Sequence, residues 1–344
     1  MSKVVYLLGA GASYGKRNMD EPVNSPKRIM EGLPVVNEIC DELDVVINEL
    51  KNVNTNKNIK YTLRGQEHSY ASMINELVEG LGWLRDQASN HATIDTYAKK
   101  LHLKGNIDDY GKLKFFLTTF FLIEQSIHKI DKRYDTFYAN ILDKNSNIPD
   151  DVYIMTWNYD NQLDIAYRDY KNEPLPVLDP KEKNSEVKQT KVFKINGSAN
   201  YYNVNRIDAS IHFKDDLDTL LNRICNQICI ANNYSRSWSG GTNDLMFAWE
   251  NDAFEKYKEH LFGNILDTRV LVIIGYTFPF FNREIDREIF LNMPNLEQIY
   301  IQDPCAESVK DSLYSVLTDK QRERIYTSIK LIKSTTNFFL PHEL

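Results

Sequence analysis

The fold is decided by the stretch Val4-Val5-Tyr6-Leu7-Leu8-Gly9-Ala10-Gly11-Ala12-Ser13, near the start of the chain. Its first half is a continuous apolar run, which is typical of a strand buried on both faces of a parallel sheet. Its second half is a glycine turn, where backbone N–H groups can approach a phosphate and a following helix N-terminus favours negative charge. The stretch predicts a first parallel strand and a phosphate-binding turn, and a purely structural tight turn is the alternative.

Five further short runs of apolar and β-branched residues, each bounded by polar residues or glycine, repeat the strand pattern. They cover residues 152–157, 192–195, 270–274, 299–302 and 329–332. Helical patterns separate these runs along the chain. We therefore predict an α/β fold, a Rossmann-like doubly wound and mostly parallel six-stranded sheet with helices on both faces.

The long segments between the predicted strands have helical apolar spacing. Residues 41–150 contain three such helical runs and no convincing strand, so we predict a helical insert there. Residues 201–262 are again mainly helical by pattern and form a second predicted insertion. The whole chain, residues 1–344, is expected to be one nucleotide-binding domain that carries these two insertions.

Composition excludes several classes of protein. The net charge of −7 argues against direct nucleic-acid binding, which depends on lysine and arginine neutralising phosphates. The sequence has no apolar stretch of about eighteen residues that could span a membrane and no secretory leader pattern, so we expect a cytoplasmic protein. The cysteines are too few and too scattered for a disulfide framework or a zinc site, and Cys225 and Cys229 are expected to be buried helix residues. No metal is predicted.

Polar residues follow four of the later strands, where ligands of such folds bind. Thr156-Trp157-Asn158-Tyr159-Asp160 offers an amide and a carboxylate two residues apart, although an Asx turn or helix N-cap fits the same residues. Asn196 ends the next strand. Gly275 and Thr277 form the turn after the strand at 270–274, and Gln302 and Asp303 end the strand after that. Taken singly, each of these motifs is more often structural than functional.

In this order, the five motifs resemble those of the sirtuin-like family. The turn at Gly9, Ala10, Gly11, Ala12 and Ser13 looks like its phosphate loop, and Gly32-Leu33-Pro34 looks like its downstream Gly-Ile-Pro element. The resemblance implies that Asn158 lies near the reacting ribose and that Asp160 binds the nicotinamide carboxamide. It assigns Pro34, Gly275, Thr277, Gln302 and Asp303 to NAD+ binding, the last two near adenosine.

One departure from the family pattern concerns catalysis. The family usually has a histidine general base in a Leu-His-Gly-Ser motif, and this chain has Asn196 at that position. Asparagine cannot accept a proton near neutrality, and the loss of a general base typically lowers a rate by about 100- to 10,000-fold. His68, His91, His102 and His212 are conceivable replacement bases without a supporting motif. The paired cysteines of the deacylase zinc module are also missing.

Within the family, the Thr-x-Asn-Tyr-Asp and Gly-Tyr-Thr-Phe motifs are similar to those of bacterial antiviral-defence NADases. The resemblance therefore implies an NAD+ glycohydrolase that releases nicotinamide and ADP-ribose, with Asn158, Asp160 and Asn196 as catalytic candidates. The alternative is a catalytically impaired subunit that binds NAD+ or ADP-ribose and regulates a defence complex. A deacylase and a dehydrogenase fit less well. A homo-oligomer or a companion defence protein is the expected partner.

Overall fold

A computed structural model describes residues 3–63, 65–171, 173–178, 190–201, 216–234 and 243–344. The chain divides into two compact units. The first unit consists of Met1–Gly15, Ile130–Gly197 and Met246–Leu344, and the second consists of Lys16–Lys129 and Ser198–Leu245.

The described residues form strands in both units. In chain order they are β1 Lys3–Leu8, β2 Lys16–Arg17, β3 Ile29–Glu31, β4 Lys60–Leu63, β5 Gln66–Ser69, β6 Val152–Thr156, β7 Val177–Leu178, β8 Val192–Lys194, β9 Gly197–Tyr201, β10 Asn243–Leu245, β11 Thr268–Ile274, β12 Gln298–Gln302 and β13 Ile329–Ile332.

The α-helices also occur in both units. They are α1 Ile39–Lys51, α2 Tyr70–Ser89, α3 Ile94–Leu103, α4 Ile107–Ile127, α5 Lys132–Ile141, α6 Gln162–Tyr170, α7 Leu217–Tyr234, α8 Asn251–Ile265, α9 Arg283–Leu291, α10 Ala306–Tyr314 and α11 Asp319–Ile325. A short 3-10 helix, Ala10–Ser13, follows β1 directly.

The first unit contains a parallel sheet with the strand order β13-β12-β11-β1-β6-β8-β7. Every neighbouring pair in this sheet is parallel. All six predicted strands belong to it, and the short β7 adds a seventh at one edge. The predicted Rossmann-like, doubly wound α/β fold is therefore confirmed.

Two apolar cores cover the two faces of this sheet, because side chains alternate along each strand. Val5 and Leu7 of β1 pack in one core with α8, α9 and α10. Val4, Tyr6 and Leu8 of the same strand pack in the other core with α5 and α6. A strand that is buried on both faces needs a continuous apolar run. This explains why β1 could be predicted from its sequence.

The boundaries of the units differ from the single domain with inserts at residues 41–150 and 201–262 that the sequence predicted. α5 lies within the first predicted insert but belongs to the sheet unit, because Tyr134, Phe137 and Tyr138 pack in its core. α8 begins in the second predicted insertion and belongs to the sheet unit in the same way, through Phe254, Tyr257 and Leu261.

The second unit is mainly helical and contains α1, α2, α3, α4 and α7. Helices α2 and α4 pack closely, because Gly80 has no side chain and the ring of Phe116 occupies the space beside it. The prediction of no strand between residues 41 and 150 was wrong, since β4 and β5 pair as an antiparallel hairpin. These strands are short and largely polar, so they lack the apolar signal of a buried strand.

Cys225 and Cys229 are buried in α7, as predicted. Burial raises the pKa of Cys225 to about 12 and that of Cys229 to about 11, so both thiols stay protonated near neutrality. In the described part of the chain, no helix is both long enough and apolar enough to cross a bilayer.

Candidate functional site

The strand order of the first unit reverses at β1. The next strand along the chain in the sheet, β6, lies on one side of β1, and β11 lies on the other. In open α/β sheets, ligands bind at the carboxyl ends of the strands, in the crevice where the order reverses. The turns after β1 and β11 both lie at this point.

The backbones of these two turns lie in close contact at Gly9, Gly11 and Gly275. A Cβ on Gly9 would lie 2.6 Å from the carbonyl oxygen of Gly275, and one on Gly11 would lie 2.7 Å from its Cα. Gly275 also has a φ of +58°, which side-chain-bearing residues rarely adopt. Close packing of the two turns therefore also explains why glycines occupy these positions. This is the alternative interpretation given above, in which the turn after β1 is purely structural.

Three N–H groups of the first turn are bonded within the chain. Gly9 N donates to Ile274 O at 3.0 Å, Gly11 N to Gly275 O at 3.0 Å and Ala12 N to Gly9 O at 2.8 Å. Ala10 is exposed at the tip of the turn and begins the 3-10 helix. Because the first N–H groups of a helix have no partner within it, the Ala10 amide is the one best placed for a phosphate.

Ser13 joins the first turn to the motif after β6. Its buried hydroxyl accepts a hydrogen bond from Asn158 Nδ2 at 3.1 Å and lies 2.9 Å from the hydroxyl of Tyr134. Gln162 Nε2 donates to Ser13 O at 3.0 Å. Asn158 is thus held by the turn, as a residue that orients a ligand must be.

Asp160 is buried beside this network. Its Oδ1 accepts from the backbone N–H of Gln162 at 3.0 Å, near the start of α6, so the predicted alternative of an Asx turn is present. Burial raises the pKa of Asp160, against the opposing effects of the Ser13 hydroxyl, the Gln162 N–H and the Lys194 ammonium. A carboxylate can accept several hydrogen bonds, so this turn does not exclude a ligand amide.

Asn196 follows β8 and is buried. Its Nδ2 donates to Trp157 O at 3.2 Å, which links it to the motif after β6. Its Oδ1 is buried and accepts no hydrogen bond from the described residues. An unsatisfied buried acceptor costs about 1–3 kcal/mol, so this atom favours a water or a ligand donor.

The turn after β11 is attached to the same region through aromatic residues. The rings of Trp157 and Tyr276 are stacked, with centroids 5.9 Å apart and planes 11° apart. Tyr276 Oη donates to the buried Asp286 Oδ2 at 2.8 Å, and burial raises the pKa of Asp286 well above its usual range. Thr277 is exposed, and Phe278 is buried with a φ of +55°.

Gln302 and Asp303 have structural partners. Gln302 O accepts from Gly275 N at 3.0 Å, which ties β12 to the turn after β11. The Gln302 side chain donates to Ser334 O and Asn337 O and accepts from Phe339 N, so its carboxamide holds the C-terminal segment. Asp303 Oδ1 accepts from Cys305 N at 2.7 Å. Contact of Gln302 with adenosine would require its amide to leave these partners.

The remaining predicted residues belong to the second unit or lie outside the described residues. Pro34 belongs to the second unit, as do His68, His91 and His102. His212 lies outside the described residues.

Three residues at the site, Arg133, Tyr134 and Gln162, belong to no sequence motif, and a fourth, Lys194, begins the strand-end motif that contains Asn196. Arg133 Nη2 donates to Gly11 O at 3.1 Å and to Ala12 O at 3.2 Å, so it holds the carbonyls of the first turn. Lys194 Nζ is buried and pairs with Asp164 at 2.7 Å and with Asn161 Oδ1 at 2.7 Å. Tyr134 and Gln162 support Ser13. Arg133, Tyr134 and Gln162 lie near the starts of helices, where polar residues are too common to be a signal.

A groove of about 400 Å³ lies at the opposite, amino end of the sheet, lined by Lys3, Asp150, Asp151, Asp267, Arg269 and Asn295. Ligands of doubly wound sheets bind at the carboxyl ends, so this groove is not the expected nucleotide site.

The first unit is thus a Rossmann-like α/β protein in which five strand-end motifs contact one another around the reversal of strand order. No known protein-family model matches the chain, and a search of curated proteins finds no significant relative. The sirtuin-like resemblance therefore stays a prediction that depends on the five motifs.

Proposed function

We propose that the first unit binds NAD+ at the carboxyl edge of its sheet and hydrolyses the bond between nicotinamide and ribose. The observation that supports this is the hydrogen bond between Asn158 and Ser13, which unites the motif after β6 with the glycine turn where the strand order reverses. Dinucleotides bind at such a reversal in Rossmann-like folds. The products are nicotinamide and ADP-ribose.

Asp160 and Asn158 are suited to binding the leaving group and the ribose. Asn158 uses its amide donor on Ser13, so its carboxamide oxygen can accept a hydrogen bond from a ribose hydroxyl. Asp160 keeps acceptor capacity for the N–H of the nicotinamide carboxamide, and its buried position strengthens such a bond. Holding the departing carboxamide and excluding bulk water favours an oxocarbenium-like transition state.

Asn196 then has a positioning role and not that of a base. Its buried Oδ1 can accept a hydrogen bond from the attacking water or from a ribose hydroxyl, which fixes the position of that group. Hydrolysis of the bond between nicotinamide and ribose does not require a strong base, because the oxocarbenium-like carbon is electrophilic enough to react with water itself. A deacylase has to activate a ribose hydroxyl and would be impaired more severely.

The test is nicotinamide release from NAD+ by the purified full-length chain, alone and with extract of phage-infected cells. Asn158→Ala removes the proposed ribose contact, and Asn140→Ala changes an exposed asparagine of the same unit as a matched control. We expect release by the wild type and by Asn140→Ala, and at least about a 100-fold lower rate for Asn158→Ala.

A second candidate function is a regulatory subunit that binds NAD+ or ADP-ribose without turnover. The lack of a proton acceptor at Asn196 favours it. It predicts saturable nucleotide binding that Asn158→Ala weakens, with no nicotinamide release in either setting. Absence of both binding and release would contradict both functions.

The biological role proposed here is depletion of NAD+ in the cytoplasm during antiphage defence, after assembly with further copies of the chain or with a companion protein. This role is supported only by the resemblance of the motifs. Phage challenge of cells that express the wild type or Asn158→Ala tests it, with equal plaque numbers for both contradicting a defence role that requires NAD+ cleavage.

A further inference from the structure

Three potential metal ligands meet in the second unit, within its helical bundle. Glu42 comes from α1, Glu124 lies in the last turn of α4, and His128 directly follows that helix. One carboxylate oxygen from each glutamate and one ring nitrogen of His128 all lie within 4.8 Å of one another. A carboxylate–carboxylate–imidazole set is a common ligand arrangement for first-row divalent cations.

Glu124 indicates that this cluster has a missing partner. Its side chain is 0% exposed, and neither of its oxygens makes a hydrogen bond with the described residues. His128 Nε2 lies 3.3 Å from Glu124 Oε2, a close approach that lacks hydrogen-bond alignment. Charged groups are rarely left fully buried unless they are paired or coordinate a metal.

The surrounding charges are consistent with a dication. Arg17 and Glu38 form their own pair at 2.7 Å, so they add no net charge to the cluster. Two carboxylates and a neutral imidazole would be balanced by one divalent cation.

We propose that Glu42, Glu124 and His128 bind a divalent cation of the Zn²⁺ type, which joins α1 to the end of α4. Zn²⁺ binds nitrogen and carboxylate oxygen at about 2.0–2.2 Å, so its tetrahedral ligands lie about 3.3 Å apart. The distance between His128 Nε2 and Glu124 Oε2 already has this value, at 3.3 Å. All three ligand atoms lie within 4.8 Å of one another, so they would move closer together on binding the cation.

No metal was expected from the sequence, because the three ligands do not form a recognisable motif. Glu124 and His128 are four residues apart, but Glu42 comes from a helix far away in the chain, so the complete ligand set has no short spacing that a motif search would find.

The test is titration of the chelator-treated full-length protein with Zn²⁺ by calorimetry, together with thermal unfolding with and without the metal. We expect one saturable site per chain and a higher unfolding temperature with Zn²⁺. Glu124→Gln and His128→Ala should each weaken the site by at least about tenfold. Glu67→Gln and His102→Ala, which change exposed residues of the same unit outside the cluster, should leave it intact.

Absence of a saturable site in the wild type, or equal affinity in Glu124→Gln and the controls, would overturn the proposal and leave Glu124 and His128 as an ion pair. If the cluster variants do not fold, Co²⁺ loading of the wild type decides. A visible absorption spectrum of protein-bound cobalt, displaced by one equivalent of Zn²⁺, supports the site, and its absence contradicts it. These measurements do not involve NAD+, so their outcome is independent of the proposed hydrolase activity.

Discussion

Asn158 Nδ2 lies 3.1 Å from Ser13 Oγ, and this hydrogen bond joins two motifs that are far apart in the sequence. Ser13→Ala removes the hydroxyl that Asn158 and Tyr134 share within the protein interior. We expect urea unfolding to show a free energy of unfolding that is lower by about 1–3 kcal/mol, because the buried polar groups of Asn158 and Tyr134 lose their partner. NAD+ affinity should fall as well, since the Asn158 amide can rotate.

Tyr134→Phe is the matched control for this change. It removes the 2.9 Å contact between the hydroxyls of Tyr134 and Ser13, and it keeps the hydrogen bond from Asn158 to Ser13. We expect about 1 kcal/mol of lost stability and unchanged NAD+ affinity. Wild-type affinity in Ser13→Ala would show that Asn158 does not need this hydrogen bond to bind a nucleotide.

The contact between the two glycine turns predicts a strong asymmetry among Gly→Ala substitutions. A Cβ on Gly275 would overlap the backbone of Gly11, and its φ of +58° is unfavourable for alanine. Gly275→Ala should destabilise the protein by several kcal/mol, on the order of 2–4. Gly263→Ala in α8 has nothing within 4 Å and should stabilise it by about 0.5–1 kcal/mol. Urea unfolding of both variants checks this, and similar values for the two would contradict the close contact.

The fold could be predicted from the sequence where burial on both faces makes a strand continuously apolar. The predicted strand at residues 329–332 is β13 without change, and the others differ from the structure by one or two residues at an end. β7 was missed because it is two residues long and follows Pro174 and Pro176. Short strands contribute too few residues for a period to appear.

The site could be predicted only as a set of strand ends. Parallel strands bring their carboxyl ends to one edge, so the convergence of Ser13, Asn158 and Asn196 follows from the fold. The partners of each side chain do not follow. Gln302 holds the C-terminal segment, and Arg133 holds the first turn from the start of α5, because tertiary packing decides which polar neighbours meet.

Asp286 predicts a pH dependence of stability. Burial raises its pKa well above the usual range, so the folded state binds this proton more tightly than the unfolded state. The stabilisation is complete below the unfolded pKa of about 3.9 and is lost as pH rises through the folded pKa.

Asp286→Asn, which cannot ionise, should therefore gain stability relative to the wild type as pH rises from about 4, by up to about 1.4 kcal/mol per pH unit. Urea unfolding across the range from about pH 5 to pH 8 measures the difference. Asp311→Asn, at an exposed position of α10, should run parallel to the wild type. A difference between Asp286→Asn and the wild type that is constant with pH would contradict a protonated Asp286.

Asn196 provides a test that separates positioning from binding. If its buried Oδ1 fixes the attacking water or a ribose hydroxyl, Asn196→Ala should lower the maximal rate of nicotinamide release by about 100-fold, as removal of one positioned polar group typically does. NAD+ affinity should change by less than about threefold, because Asn158 and Asp160 make the proposed ground-state contacts. Steady-state kinetics and calorimetric binding measure the two effects, with Asn140→Ala as control. An equal loss of affinity and rate would make Asn196 a binding residue, and an unchanged rate would remove it from the catalytic site.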